Sequence, residues 1–131
     1  MNEIVSPEQW TCAIVQCLME TITATKLFHW ATTNFASHQS SGVLADSLFA
    51  KMDALVEAML SKGQKSGLRT CKVAVQTSFD SFPKALHNLQ VMLRGFDDPM
   101  CPFARESQIL NLRDDLLSSI DSFFYLEKQF G

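Results

Sequence analysis

The sequence predicts an all-helical protein, a four-helix bundle. Three observations carry that expectation: apolar residues recur at helical spacing in four stretches, prolines and glycines fall between those stretches, and no long alternating run suggests a sheet. At 131 residues the chain has room for one domain, spanning 1–131, and 47% apolar residues suffice for its core.

The first helix is expected over 7–33. Ser6 stands as its N-cap and Pro7 in its first turn, and Trp10, Ile14, Cys17, Leu18, Thr21, Ala24, Leu27 and Phe28 follow at helical intervals. Thr32, Thr33 and Asn34 weaken it. A second periodic run through Val43, Leu44, Leu48, Met52, Leu55, Val56, Met59 and Leu60 should stop near Gly63. The short turn between them makes the two helices antiparallel. Residues 63–81, with two Gly, several Ser/Thr and the patch Val73-Ala74-Val75, read as a connector long enough to permit a crossover along the bundle. A third, shorter helix opens with Ser81 as cap and Pro83 in its first turn and ends at Gly95. The fourth runs from about 103 to 130 with Leu112, Leu116, Ile120, Phe123 and Phe130 on one stripe.

Composition excludes several classes of function. A net charge of −3 without a Lys/Arg cluster makes nucleic acid an unexpected partner, since phosphate binding needs concentrated positive charge. No stretch of about 18 uncharged apolar residues is available to span a membrane, and MNEIVSPEQW has neither the basic start nor the apolar run of a signal peptide. Cys12, Cys17, Cys71 and Cys101 lack CxxC spacing and read as small buried thiols of a reducing cytosol, so a cytoplasmic location is expected. Charged residues make up only 19%, which suggests that part of the surface is covered by other copies of the chain. The G-x-S-x-G, H-E-x-x-H and P-loop strings of hydrolases, zincins and nucleotide binders do not occur.

What chemistry remains lies in residues 29–57. Asp53 and Glu57 are four apart and share one helix face, where they offer two hard oxygen ligands; His29 and His38 add nitrogen. Taken singly, each has an ordinary reading as a solvated or packing residue. Together, His29-Trp30, then Asn34-Phe35-Ala36-Ser37-His38, then Met52-Asp53-Ala54-Leu55-Val56-Glu57 resemble the signature of the Dps mini-ferritins. The stretch from Ser119-Ile120-Asp121 through Tyr125-Leu126 to Phe130-Gly131 resembles that family's last helix. The resemblance implies a ferritin-like four-helix bundle and iron as the metal. It also implies a ferroxidase site in which His29, His38, Asp53 and Glu57 bind ferrous iron for oxidation by peroxide or oxygen. The chain departs from the family pattern at Gly42, where a further Asp is usual, in a turn between the two His that is three residues shorter, in the lack of a Lys-rich tail, and in a connector without an extra helix. Asp46 reads as a solvated charge, with partial replacement of the missing acid as its second reading. Trp30 reads as packing, with electron donation during iron oxidation as its second. His87 is expected to be structural or on the surface, and Glu20 has no assigned role.

Helix geometry adds a demand. His38 and Asp53 are fifteen residues apart on one helix, which sets them roughly 22 Å apart along its axis, whereas metal ligands sit only about 2 Å from the ion. The site must then be shared between two chains packed antiparallel about a two-fold axis near residues 45 and 46, making the protein a homo-oligomer, at least a dimer. The competing expectation is a non-enzymatic ferritin-like module with a degenerate metal site, serving in oligomerisation or partner binding.

Overall fold

The computed structural model describes residues 6–61 and 68–130. Among them are four long helices, α1 (Pro7–Ala31), α2 (Phe35–Leu60), α3 (Phe82–Arg94) and α4 (Ser107–Phe130), with short 3-10 turns at Phe79–Ser81 and Gly95–Asp97. No described residue lies in a strand.

The helix ends are set largely by side chains that satisfy otherwise orphaned backbone groups. At the start of α1 the Gln9 amide donates to Ser6 Oγ (3.2 Å) and the Ser6 amide donates back to Gln9 Oε1 (3.0 Å), a reciprocal capping box. Thr32 turns to extended backbone, so α1 stops at Ala31 rather than at 33. Asn34 then caps α2 through its Oδ1, which accepts from the Ser37 amide (2.8 Å). The stop expected at Gly63 lies outside the described residues; α2 itself extends to Leu60, with Ser61 as its C-cap. Ser81 stands at the N-cap position of α3, but its hydroxyl bonds to Ser78 instead of capping the helix. Gly95 closes α3 as expected.

The fourth helix departs from expectation by starting at Ser107 instead of near 103. Residues 98–106 fold into successive tight turns, with the Cys101 amide on the Asp98 carbonyl, Ala104 on Cys101 and Glu106 on Phe103. Pro102 has no amide hydrogen to contribute to a helix, and the turns send Cys101 and Phe103 into the core, Phe103 beside Phe96 with ring centres 6.3 Å apart.

Pairings along the helices fix their directions. Phe82, Ala85 and Phe96 meet Phe28, Thr21 and Trp10 respectively, so α3 runs antiparallel to α1. Glu127 meets Ser37 and Ser40, Ser119 meets Ser47, and Asp115 meets Lys51, so α4 runs antiparallel to α2. The order is therefore up, down, down, up, with α1 packed on α2 and α3, and α4 packed on α2 and α3. Because α2 and α3 run the same way, the connector has to travel the length of the bundle. It does so along α1: Cys71 is at Cys12, Ala74 at Gln16 and Phe79 at Phe28.

Leu18, Leu48, Leu55, Met59, Leu86, Leu89, Leu93, Leu116 and Ile120 form the fully buried centre. Phe28 stacks on Phe79 and Phe82 and meets Phe123 edge-on, closing the end near the α1–α2 turn. At the other end the buried Arg113 donates to the Leu93 carbonyl (2.9 Å), Asp97 (2.9 Å) and Asp114 (2.7 Å), satisfying a terminal carbonyl of α3. Desolvation opposes the Arg113 charge, but its bonds to Asp97 and Asp114 outweigh that and hold its pKa above the ordinary value.

The cysteine reading needs correction. Cys12 and Cys71 form a disulfide (Cα–Cα 5.7 Å), and only Cys17 and Cys101 are free thiols. The pairing depends on the connector returning along α1, which the absence of a CxxC spacing does not reveal. No helix among the described residues is long and apolar enough to cross a membrane.

Candidate metal centre

The three-residue turn after α1 brings His29, one turn from the end of that helix, against His38 in the first turn of α2. Their rings stack with centres 4.0 Å apart and planes 16° from parallel. Each ring also bonds the other residue's backbone: Nδ1 of His29 lies 2.6 Å from the His38 carbonyl oxygen, and Nδ1 of His38 lies 2.8 Å from the His29 carbonyl oxygen. A carbonyl can only accept, so both Nδ1 atoms carry the proton. In the neutral rings both Nε2 atoms then keep a bare lone pair, which is the tautomer a metal requires.

Gly42 makes room for this clasp. A Cβ built there would lie 2.8 Å from His29 Cε1 and 3.2 Å from Nδ1, closer than side-chain atoms pack. The position where the family resemblance calls for an acid is occupied instead by the seat of the His29 ring. Ser41, buried beside it, donates to the His38 carbonyl (3.2 Å), and its Oγ lies 3.3 Å from His29 Nδ1. Behind the pair, Glu127 of α4 accepts from Ser37 (3.1 Å) and Ser40 (3.0 Å), fixing the first turns of α2 against the end of α4.

Asp53 and Glu57 are exposed on α2, one helical turn apart, toward the end of the helix far from the histidines. Among the described residues no three His, Cys, Asp or Glu side chains of one chain gather into a group able to hold a metal. The chain thus carries two separated pairs, one of nitrogens and one of oxygens. Asp46 and Phe49 are exposed between them, Phe49 at 63%. Trp30 is 69% exposed, so the packing expected of it does not occur within the chain. His87 is on the surface. Glu20, given no role, accepts from Gln16 Nε2 (2.8 Å).

Ser41 and Glu127 were not singled out from the sequence, and Gly42 stood out there only as the place of a missing acid. Gly42 had a usable signal, since a glycine inside a helix costs about 1 kcal/mol relative to alanine and commonly marks a close approach. Ser41 and the distant Glu127 had none. The chain matches no described protein family, no curated protein and no solved structure.

Proposed function

We propose that the protein is a mini-ferritin-like, iron-oxidising homodimer or larger assembly whose metal sites are shared between two copies of α2. The observation that carries this reading is the His29–His38 clasp, which holds two imidazoles in one place with both Nε2 lone pairs free of hydrogen bonds to the described residues. Carbonyl groups that fix a histidine's Nδ1 proton are the usual support of metal-binding imidazoles. The up, down, down, up order with a full-length crossover supports a ferritin-like bundle, because an up-and-down bundle would pack α2 against α3.

Two copies of α2 laid antiparallel about an axis between residues 45 and 46 set His38 of one copy opposite Asp53 of the other. The same operation sets exposed Phe49 opposite Gly42, where the His29 ring is seated. His29 accompanies His38 across the turn, and Glu57 follows Asp53 one turn along. Each site then offers two imidazole nitrogens and two carboxylates, a mixed set suited to ferrous iron. Peroxide would take one electron from each of two ferrous ions and leave as hydroxide. The ligands lower the barrier by binding the ferric product's higher charge.

Complementation tests the shared site. His38→Ala and Asp53→Ala proteins should each lose ferrous oxidation after anaerobic loading and peroxide addition, read as ferric absorbance. A mixed dimer of the two retains one intact site, because both lesions fall in the other. Co-expressed mixed dimers that recover no oxidation, beside an active wild type, would refute the two-fold site. A wild type that self-associates but never oxidises iron would leave the fold as an assembly module.

A further inference from the structure

Residues 71–78 have no regular secondary structure and lie along α1, with residues 72–76 exposed. Three attachments hold them. The Cys12–Cys71 disulfide fixes the first residue, and both bonding atoms of the Gln16 amide engage the backbone of Ala74, Oε1 accepting from its N–H and Nε2 donating to its carbonyl. At the far end Ser81 Oγ accepts from the Ser78 amide (2.8 Å) while Phe79 stacks on Phe28. Gln76 and Thr77 also form one wall of a polar cleft of about 260 Å³ with Glu20, Ser81, Lys84, Ala85 and Asn88.

These attachments are unequal. The far end is anchored in the aromatic cluster at the α1–α2 turn, whereas the near end depends on one covalent bond whose two cysteines are both partly accessible. Beyond that bond, the only hydrogen-bonding partner of residues 72–76 on α1 is Gln16.

We propose that residues 71–78 form a redox-controlled strap, latched to α1 by the Cys12–Cys71 disulfide and released when a dithiol reductant opens that bond. In the exchange a thiolate of the reductant attacks one sulfur of the bridge, forming a mixed disulfide, and the other cysteine leaves as thiolate and takes a proton. The reductant's second thiol displaces the first cysteine in the same way. Two electrons and two protons pass from the dithiol, which becomes a disulfide, to the bridge, which becomes two thiols. A disulfide oxidant reverses the sequence. Cys17, five residues beyond Cys12 on the same helix, stays outside the exchange: burial pushes its thiol up, so little of it is the attacking thiolate. Release frees the segment from the latch toward Phe79 and takes away the Gln76–Thr77 wall of the cleft. A chain held in a reducing compartment would keep the strap open and close it under oxidising stress, the sensing use to which cytosolic disulfides are put.

Hydrogen exchange by mass spectrometry on the full chain reads the strap directly. In the oxidised protein the Ala74 amide is protected by Gln16. With dithiothreitol, peptides covering 72–78 should exchange at least about tenfold faster, while peptides from α2 and α4 stay much slower than the strap. Cys12→Ser should show the fast exchange without reductant and no further response to it. Gln16→Ala should speed the reduced strap by roughly another thirtyfold, the loss expected for two hydrogen bonds. Unchanged exchange of 72–78 on reduction would overturn the proposal. So would exchange of all four helices as fast as the strap, which would mean that the fold does not survive without the bridge, or four titratable thiols in the air-oxidised protein. If Cys12→Ser does not fold, the reduction of the wild type still decides.

Discussion

Replacing Gly42 by alanine should change sign according to whether His29 is present. Gly42 lies in the interior of α2, where alanine is ordinarily better by about 1 kcal/mol because it loses less backbone entropy. Here the added methyl would stand 2.8 Å from His29 Cε1, so the ring must withdraw by about 0.6 Å to reach an ordinary contact. That displacement disrupts the 2.6 Å bond from His29 to the His38 carbonyl, the 2.8 Å bond that returns it, and the stack between the rings. At about 1 kcal/mol net for each hydrogen bond the clasp is worth about 2 kcal/mol. Gly42→Ala in the wild type should therefore destabilise by about 1 kcal/mol, whereas the same change in a His29→Ala background should stabilise by about 1 kcal/mol. Urea unfolding of the four proteins gives the coupling energy as a double-mutant cycle, expected at about 2 kcal/mol. If Gly42→Ala stabilises both backgrounds equally, the glycine is not the seat of the ring. Gly42→Asp would not restore an acidic ligand, because its Cβ meets the His29 ring before its carboxylate reaches any metal.

Three other perturbations follow from the structure. The Cys12–Cys71 bridge closes a loop with a sequence separation of 59, so its reduction should lower global stability by about 4 kcal/mol, chiefly through the unfolded chain; a urea midpoint lower by roughly 2 M with dithiothreitol checks this, and an unchanged midpoint refutes it. Arg113→Met keeps most of the packing volume but strips the Leu93 carbonyl of its buried donor, at an expected cost of about 2–3 kcal/mol. The exposed Asp97 contributes little of that, and Asp97→Asn should accordingly cost less than about 1 kcal/mol in the same assay.

What could be read from the sequence divides according to how local each determinant is. The Ser6 cap of α1 and the Gly95 stop of α3 lie within three residues of the backbone they terminate, and these ends fell where the sequence put them. The start of α4 did not, because the turns over 98–106 are selected by where Cys101 and Phe103 find space in the core, a property of the assembled bundle. The disulfide was invisible for the same reason. Its partners are brought together by a crossover that follows from α2 and α3 running in one direction, and a reading of the cysteines as isolated thiols had no access to that direction.

The candidate site follows the same division. His29 and His38 meet because three residues separate α1 from α2, a short-range fact legible in the chain, and their stacking depends on Gly42, only four residues past His38. Asp53 and Glu57 are placed by the same helix, and its rigidity keeps them away: a straight α2 holds Asp53 roughly 22 Å and Glu57 roughly 28 Å from His38. No rearrangement of loops within one chain shortens that distance, since the intervening residues Ser41, Leu44, Ala45 and Leu48 are buried in the helix's packing face and hold it in place. An iron site built from all four residues therefore demands a second copy of α2. The exposed Phe49, one turn before Asp53 and between the two pairs, lies on a face that its own chain leaves uncovered.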